Sequence, residues 1–248
     1  MNEHSKTVKD NVSRFDDDVR RTGSYAYTAE KLSARYANGR ISEGIARIYS
    51  FESKRVLDLG CGDGTYSLEF VALGAKEVLG IDPAAIAVEA ATKKALDAGM
   101  ADKLRFEVGN IYDPNLLQGR PRFDCVVLRG VLHHLPDPKR AVACAAALAD
   151  SMIILEPNGY NPVLKILERV SRYHIEHEEQ SFLSTTLTSW VRAAGFQVQA
   201  VEHINLVPFF CPDWMARLCH GIGPFVERIP IVRALSCGQC LILARRGS

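Results

Sequence analysis

Apolar residues recur along this chain in two alternating rhythms. Short apolar runs ending at Leu59, at Glu77–Ile81, Phe123–Leu128 and Ser151–Leu155 are too brief for core helices and predict buried strands. Leu104–Val108 and Ala194–Val201 alternate between apolar and polar, as half-buried strands do. Between these runs, Thr65–Leu73, Ala84–Ala98, Pro138–Ala149 and Leu183–Ala194 carry helical spacing. Gly74, Gly99 and Gly195 follow three of them, where a helix C-terminus favours a left-handed residue. Strand and helix in regular alternation predict an α/β domain built on a parallel sheet.

Two regions depart from that rhythm, and a third precedes it. Residues 1–50 have no strand pattern and show helical spacing from Ala26 to Tyr49, which predicts an N-terminal helical cap on a main domain at 51–248. Residues 157–182 and 207–236 are insertions between core elements. The second is apolar but interrupted by Pro208, Pro212, Pro224 and Pro230, so it is not expected to form one continuous helix. Leu241–Ala244 reads as the last strand.

Composition narrows the class. A chain of 248 residues, 47% hydrophobic, can bury a substantial core in one domain. Thirty Lys+Arg against 29 Asp+Glu leave a net charge of +1, so no nucleic-acid partner is expected. The first ten residues are polar and no apolar run approaches the ~18 residues of a spanning helix, which predicts a cytoplasmic protein. Seven cysteines, an odd number spread over strands and helices, suit reduced thiols. Cys237-x-x-Cys240 has no second such pair, and no metal is expected there.

Candidate chemistry gathers where the first strand turns into a helix, at Val56-Leu57-Asp58-Leu59-Gly60-Cys61-Gly62-Asp63-Gly64-Thr65. Glycines in such a turn supply positive φ and clear the way for a ligand to approach the backbone. A dinucleotide fingerprint, G-x-G-x-x-G, would need glycine where Thr65 stands, which speaks against a nicotinamide cofactor. The run Asp58-Leu-Gly60-Cys-Gly62-Asp-Gly64 instead resembles motif I of the class I S-adenosylmethionine-dependent methyltransferases. A second segment, Phe123-Asp-Cys-Val-Val127 followed by Leu132-His133-His134-Leu135-Pro136-Asp137-Pro138, resembles the corresponding part of small-molecule methyltransferases related to those of quinone biosynthesis.

The resemblance covers residues 52–201 and implies a Rossmann-like, mostly parallel seven-stranded sheet with helices on both faces and an antiparallel last strand. It also implies S-adenosyl-L-methionine as cofactor, its methionine part held by the loop at Asp58, Gly60, Cys61 and Gly62. Asp82, at the end of the second strand and roughly 20 residues past the first glycine, stands where a ribose diol would be bound. Followed by Pro83, itself a candidate cofactor contact, it could alternatively start a helix, but its position after the glycine motif favours the ribose. By the same resemblance the turn at Asn110 and Ile111 would meet the adenine ring, although an ordinary Asn/Gly turn accounts for it too, and Arg129 would border the cofactor.

Acceptor chemistry is less determined. His133 and His134 follow a central strand on the edge where open parallel sheets bind ligands, so either could serve as a base, a substrate donor or a structural residue. His174, His177 and Glu178 would share a helix face and offer a second candidate base or a polar substrate wall, with a spacing that matches no zinc-hydrolase motif. Tyr25 and Tyr27 in the cap, Glu156 at the end of the fifth strand and Trp214 in the apolar insertion are candidate substrate contacts. Glu156 is alternatively a structural ion pair with Arg129, and the apolar insertion alternatively covers the core or touches a membrane surface. Methyl transfer to a hydroxyl of a small, partly apolar acceptor is the expected reaction. N- or C-methylation, noncatalytic cofactor binding and a nicotinamide-dependent oxidoreductase are the alternatives.

Overall fold

In the computed structural model, which describes residues 31–113, 115–170 and 180–247, seven strands form one sheet. These are β1 (Arg55–Leu59), β2 (Glu77–Asp82), β3 (Leu104–Val108), β4 (Phe123–Arg129), β5 (Ala149–Pro157), β6 (Phe196–Ile204) and β7 (Gln239–Arg246). Their order across the sheet is β3-β2-β1-β4-β5-β7-β6. β1 to β5 pair in parallel, and β7 lies antiparallel between β5 and β6. The order reverses between β1 and β4, and in open parallel sheets ligands bind at the carboxyl ends of such a reversal.

The central strands bury alternate residues on two faces, as a period of two requires. Leu57, Leu79, Val126, Leu128 and Ile154 join one core with α4 (Pro138–Leu148) and α6 (Ser184–Ala193). Val56, Val78, Val127, Ile153 and Leu155 join the other, against α1 (Leu32–Ile48), α2 (Ser67–Ala72) and α3 (Ala85–Asp97). The expected sheet, with helices on both faces and an antiparallel last strand, is what forms.

α1 buries Ala37, Ile41 and Ile45 and packs on β6, β7 and the later helix α7 (Asp213–Val226). It begins at Leu32, and the expected helical start at Ala26 lies outside the described residues. α5 (Pro162–Val170) follows β5, and α8 (Pro230–Ser236) follows α7. Pro212 and Pro230 stand at the starts of α7 and α8, as interrupting prolines should. Pro224 instead lies inside α7. It removes only the bond to the carbonyl of exposed His220, so water can satisfy that group and the helix continues.

Candidate functional site

The glycine turn is a closed structure. Gly60, Gly62 and Gly64 take φ values of 77°, 52° and 73°, a region that side chains other than glycine's rarely occupy. Gly60 and Cys61 donate their amides to Ile81 O, Gly62 to Asp82 Oδ2, Gly64 to Cys61 O and Thr65 to Asp63 Oδ1. All five of these amides are thus bonded within the protein. Turn amides used internally leave little for a pyrophosphate, which agrees with the missing third glycine. Lys94 fixes the turn from α3, with Nζ 2.7 Å from both Asp63 Oδ2 and Thr65 Oγ1.

Asp58 and Cys61 support this turn from within. Asp58 is buried and accepts a 2.6 Å bond from Ser67 Oγ on α2, so its carboxyl braces the strand-to-helix turn. Burial raises its pKa from 3.8 to about 6, against the opposing influence of Ser67 and Arg129. Cys61 is also buried, and desolvation holds its thiol well above the ordinary range.

Asp82 joins two elements. Its Oδ2 accepts from Gly62 N and its Oδ1 from Ala84 N, both at 2.9 Å, so one carboxylate ties the glycine turn to the start of α3. Asp82 thus holds the turn that leads into α3, whose own N-cap is Ala84 without a side-chain cap bond. Pro83 beside it is exposed. Asn110 Oδ1 accepts from Tyr112 N at 2.9 Å, an Asx turn, with Ile111 half-buried against the core.

Arg129 ends β4 and is drawn toward α1 and α2. Its Nη1 lies 3.1 Å from Glu69 Oε2 and 3.3 Å from Ser42 Oγ, and its guanidinium stacks over the Tyr66 ring at 3.4 Å. Tyr66 in turn donates to Asn38 Oδ1 at 2.7 Å. Arg129 Nη2 is buried and has no hydrogen-bond partner among the described residues. A buried guanidinium nitrogen left in this way suits a carboxylate ligand.

The ion pair expected between Glu156 and Arg129 does not form. Arg129 is in register with Leu155, so both face the α1 side, while Glu156 faces the opposite side with Ile154. Glu156, fully buried within β5, instead accepts from Val131 N at 2.9 Å and Leu132 N at 2.7 Å through Oε1. Its Oε2 lies 2.6 Å from His133 Nδ1. A carboxylate at Nδ1 favours the tautomer in which that nitrogen carries the proton, leaving Nε2 as the basic atom. His133 and His134 belong to a 3₁₀ turn at Leu132–His134 and their ring centroids are 3.8 Å apart.

This turn lies against the glycine loop. A Cβ on Gly60 would come within 2.5 Å of Val131 Cγ2. Asp58, Gly60, Asp82, Arg129 and His133 therefore meet at one sheet edge, as their strand ends predict. Trp214, a candidate acceptor contact, is 67% exposed on α7. Tyr25, Tyr27, His174, His177 and Glu178 lie outside the described residues. Sequence reasoning missed Ser42, Tyr66, Glu69 and Lys94, whose neighbours in the chain give no sign of the partners they meet.

Comparison with known proteins adds an independent line. A family model described as a methyltransferase domain matches residues 33–201. A ubiquinone biosynthesis O-methyltransferase from Xanthomonas euvesicatoria pv. vesicatoria is 31% identical over 166 residues, covering 62% of this chain and 67% of that protein. An uncharacterized protein, syc1184_c, from Synechococcus is 36% identical over 94 residues, and the chain spans only 22% of its length. The crystal structure of magnesium protoporphyrin IX methyltransferase from Synechocystis with bound SAH superposes with a TM-score of 0.64 at 16% identity, covering 96% of each chain. That likeness concerns the fold.

Proposed function

Because the chain belongs to the methyltransferase-domain family, we propose that it transfers a methyl group from S-adenosylmethionine to a hydroxyl oxygen of a small, partly apolar acceptor, with His133 as general base. The observation that carries the choice of oxygen is the 2.6 Å contact between His133 Nδ1 and buried Glu156. A hydroxyl must lose a proton as it attacks, and an imidazole held by a carboxylate can take that proton at Nε2. The Xanthomonas relative, named a ubiquinone biosynthesis O-methyltransferase, supports the same reading.

The residues at the sheet edge fit the cofactor. Arg129 Nη2 would meet its carboxylate, Asp82 its ribose hydroxyls and Asn110 with Ile111 its adenine. When bound, S-adenosylmethionine supplies a methyl carbon made electrophilic by its sulfonium, and transfer leaves a neutral thioether. The chain's own work is to position and to move one proton. Glu156 holds the 3₁₀ turn through the Val131 and Leu132 amides and orients His133 through Nδ1. His133 Nε2 receives the acceptor's proton, and the carboxylate beside the ring stabilises the resulting imidazolium. His134, its ring tilted against that ring, limits its rotation.

Kinetics and calorimetry test the assignment together. The His133→Ala variant is expected to lose on the order of 10²- to 10⁴-fold in kcat toward a hydroxyl acceptor, with affinity for S-adenosylhomocysteine nearly unchanged. Full turnover in that variant would remove His133 as the base. Wild-type protein that gave no binding heat with S-adenosylmethionine or its product would overturn the cofactor as well.

A further inference from the structure

α7 is turned inside out for a helix on a water-facing surface. Its buried residues are Ala216 and Gly223, both small. On the opposite side Trp214, Leu218, Ile222 and Phe225 follow one another at spacings of three and four, all exposed, with Trp214 and Phe225 at 67%. Ile229 continues the stripe past the helix end, and Ile231 and Leu235 of α8 are exposed beyond it. Scattered apolar residues on a surface need no explanation, but a contiguous row over about three turns does.

The ionic groups identify what covers it. Exposed Arg217 and Arg228 flank the stripe at both ends, one of them 5.9 Å from the Phe225 ring centroid. Glu227 between them turns inward, where it binds Arg40 and the Asn205 amide. The acidic group remaining on α7 is Asp213 at its start. A second copy of this face would offer these arginines only the Asp213 carboxylate of α7. A bilayer with anionic headgroups instead offers hydrocarbon to the stripe and phosphates to its flanks.

The crossover also emerges at the right edge of the sheet. β6 ends at Ile204 beside Gln239, the start of β7, and Gln239 is in register with Pro157 at the carboxyl end of β5. We infer that the α7 face, led by Trp214, Leu218, Ile222 and Phe225 and flanked by Arg217 and Arg228, docks the enzyme on an anionic membrane surface. An apolar acceptor dissolved in that surface would then enter from the lipid side. The docking goes beyond the methyl-transfer reading and does not depend on it.

Co-sedimentation with vesicles tests the docking without any turnover. Wild-type protein is expected to pellet with phosphatidylcholine vesicles containing phosphatidylglycerol, to do so far less with phosphatidylcholine alone, and to be released by salt. The Leu218→Glu/Phe225→Glu variant should partition on the order of tenfold more weakly with an unchanged melting temperature and unchanged S-adenosylhomocysteine binding. If that variant fails to fold, Arg217→Glu/Arg228→Glu, which alters exposed charges alone, should abolish the preference for phosphatidylglycerol. Three results would each overturn the inference: no partition of the wild type, equal partition of the folded variants, or a dimer in light scattering that the glutamates dissociate while vesicles bind neither form.

Discussion

A carboxyl group shut away from water holds its proton longer than a free one. Asp58 shows this, since desolvation lifts its pKa from 3.8 to about 6 although Ser67 and Arg129 favour the charged form. The folded chain then binds the proton more tightly than the unfolded chain does. The stability this contributes is complete below about pH 4 and is lost as pH rises through about 6, a difference of about 3 kcal/mol. Asp58→Asn keeps a partner for Ser67 but cannot titrate. Calorimetric melting curves from pH 4 to 7 should therefore show the wild type falling relative to the variant, and parallel curves would contradict the assignment. Of the residues at this site, Asp58, Gly60, Asp82, Arg129 and His133 were legible as strand-end positions. Their partners were not, because Ser67, Glu69 and Lys94 reach the site from helices whose own periodicity says only which face is buried.

At the scale of elements, the glycine turn and the 3₁₀ turn after β4 act as one unit. The Gly60 position has φ 77° and faces Val131, so a methyl group there meets both backbone strain and a 2.5 Å clash. Gly60→Ala should cost about 1 to 3 kcal/mol of stability, as overpacking does. Relief by movement of Val131 would also displace His133, two residues on. S-adenosylhomocysteine affinity and kcat are expected to fall together in this variant, whereas His133→Ala should lower kcat alone. A Gly60→Ala protein with normal affinity and turnover would separate the two turns. The helices tell a similar story of local rules and outside partners. Pro212 and Pro230 mark helix starts as expected, while Pro224 lies inside α7, where the carbonyl it orphans belongs to exposed His220.

For the whole molecule, the proposed cofactor site at the β1–β4 reversal is where a bound ligand should couple to global stability. Its candidate residues stand on β1, β2 and β4 and meet partners on α1, α2 and β5, so a molecule bound there would join elements distant in the chain. S-adenosylhomocysteine at 100 times its dissociation constant should add about 2.7 kcal/mol. For a chain of 248 residues that corresponds to a rise of roughly 5 to 10 °C in melting temperature. NAD at the same excess should leave the transition where it is, since most of the glycine turn's amides are already bonded within the protein. A shift with NAD and none with the thioether would contradict the proposed cofactor. Among the described residues no helix is long and apolar enough to cross a membrane, so the docking inferred for α7 is peripheral.

The amino-acid sequence by itself determined the alternation of strand and helix, the positive-φ turn at Gly60–Gly64 and the sheet edge on which the candidate residues stand. These follow from short-range causes: apolar period, the absence of a side chain on glycine, and the fixed φ of proline. Which carboxylate meets which cation was decided only in the tertiary structure. Arg129 and Glu156 end neighbouring strands and look like partners in one dimension. Register sets Arg129 opposite Leu155, however, so that Arg129 finds Glu69 on one face and Glu156 finds His133 on the other. A side chain's face alternates with every residue, and a shift of one position in strand pairing exchanges all the neighbours at once. That register is fixed by the two buried cores acting together, which no window of sequence contains.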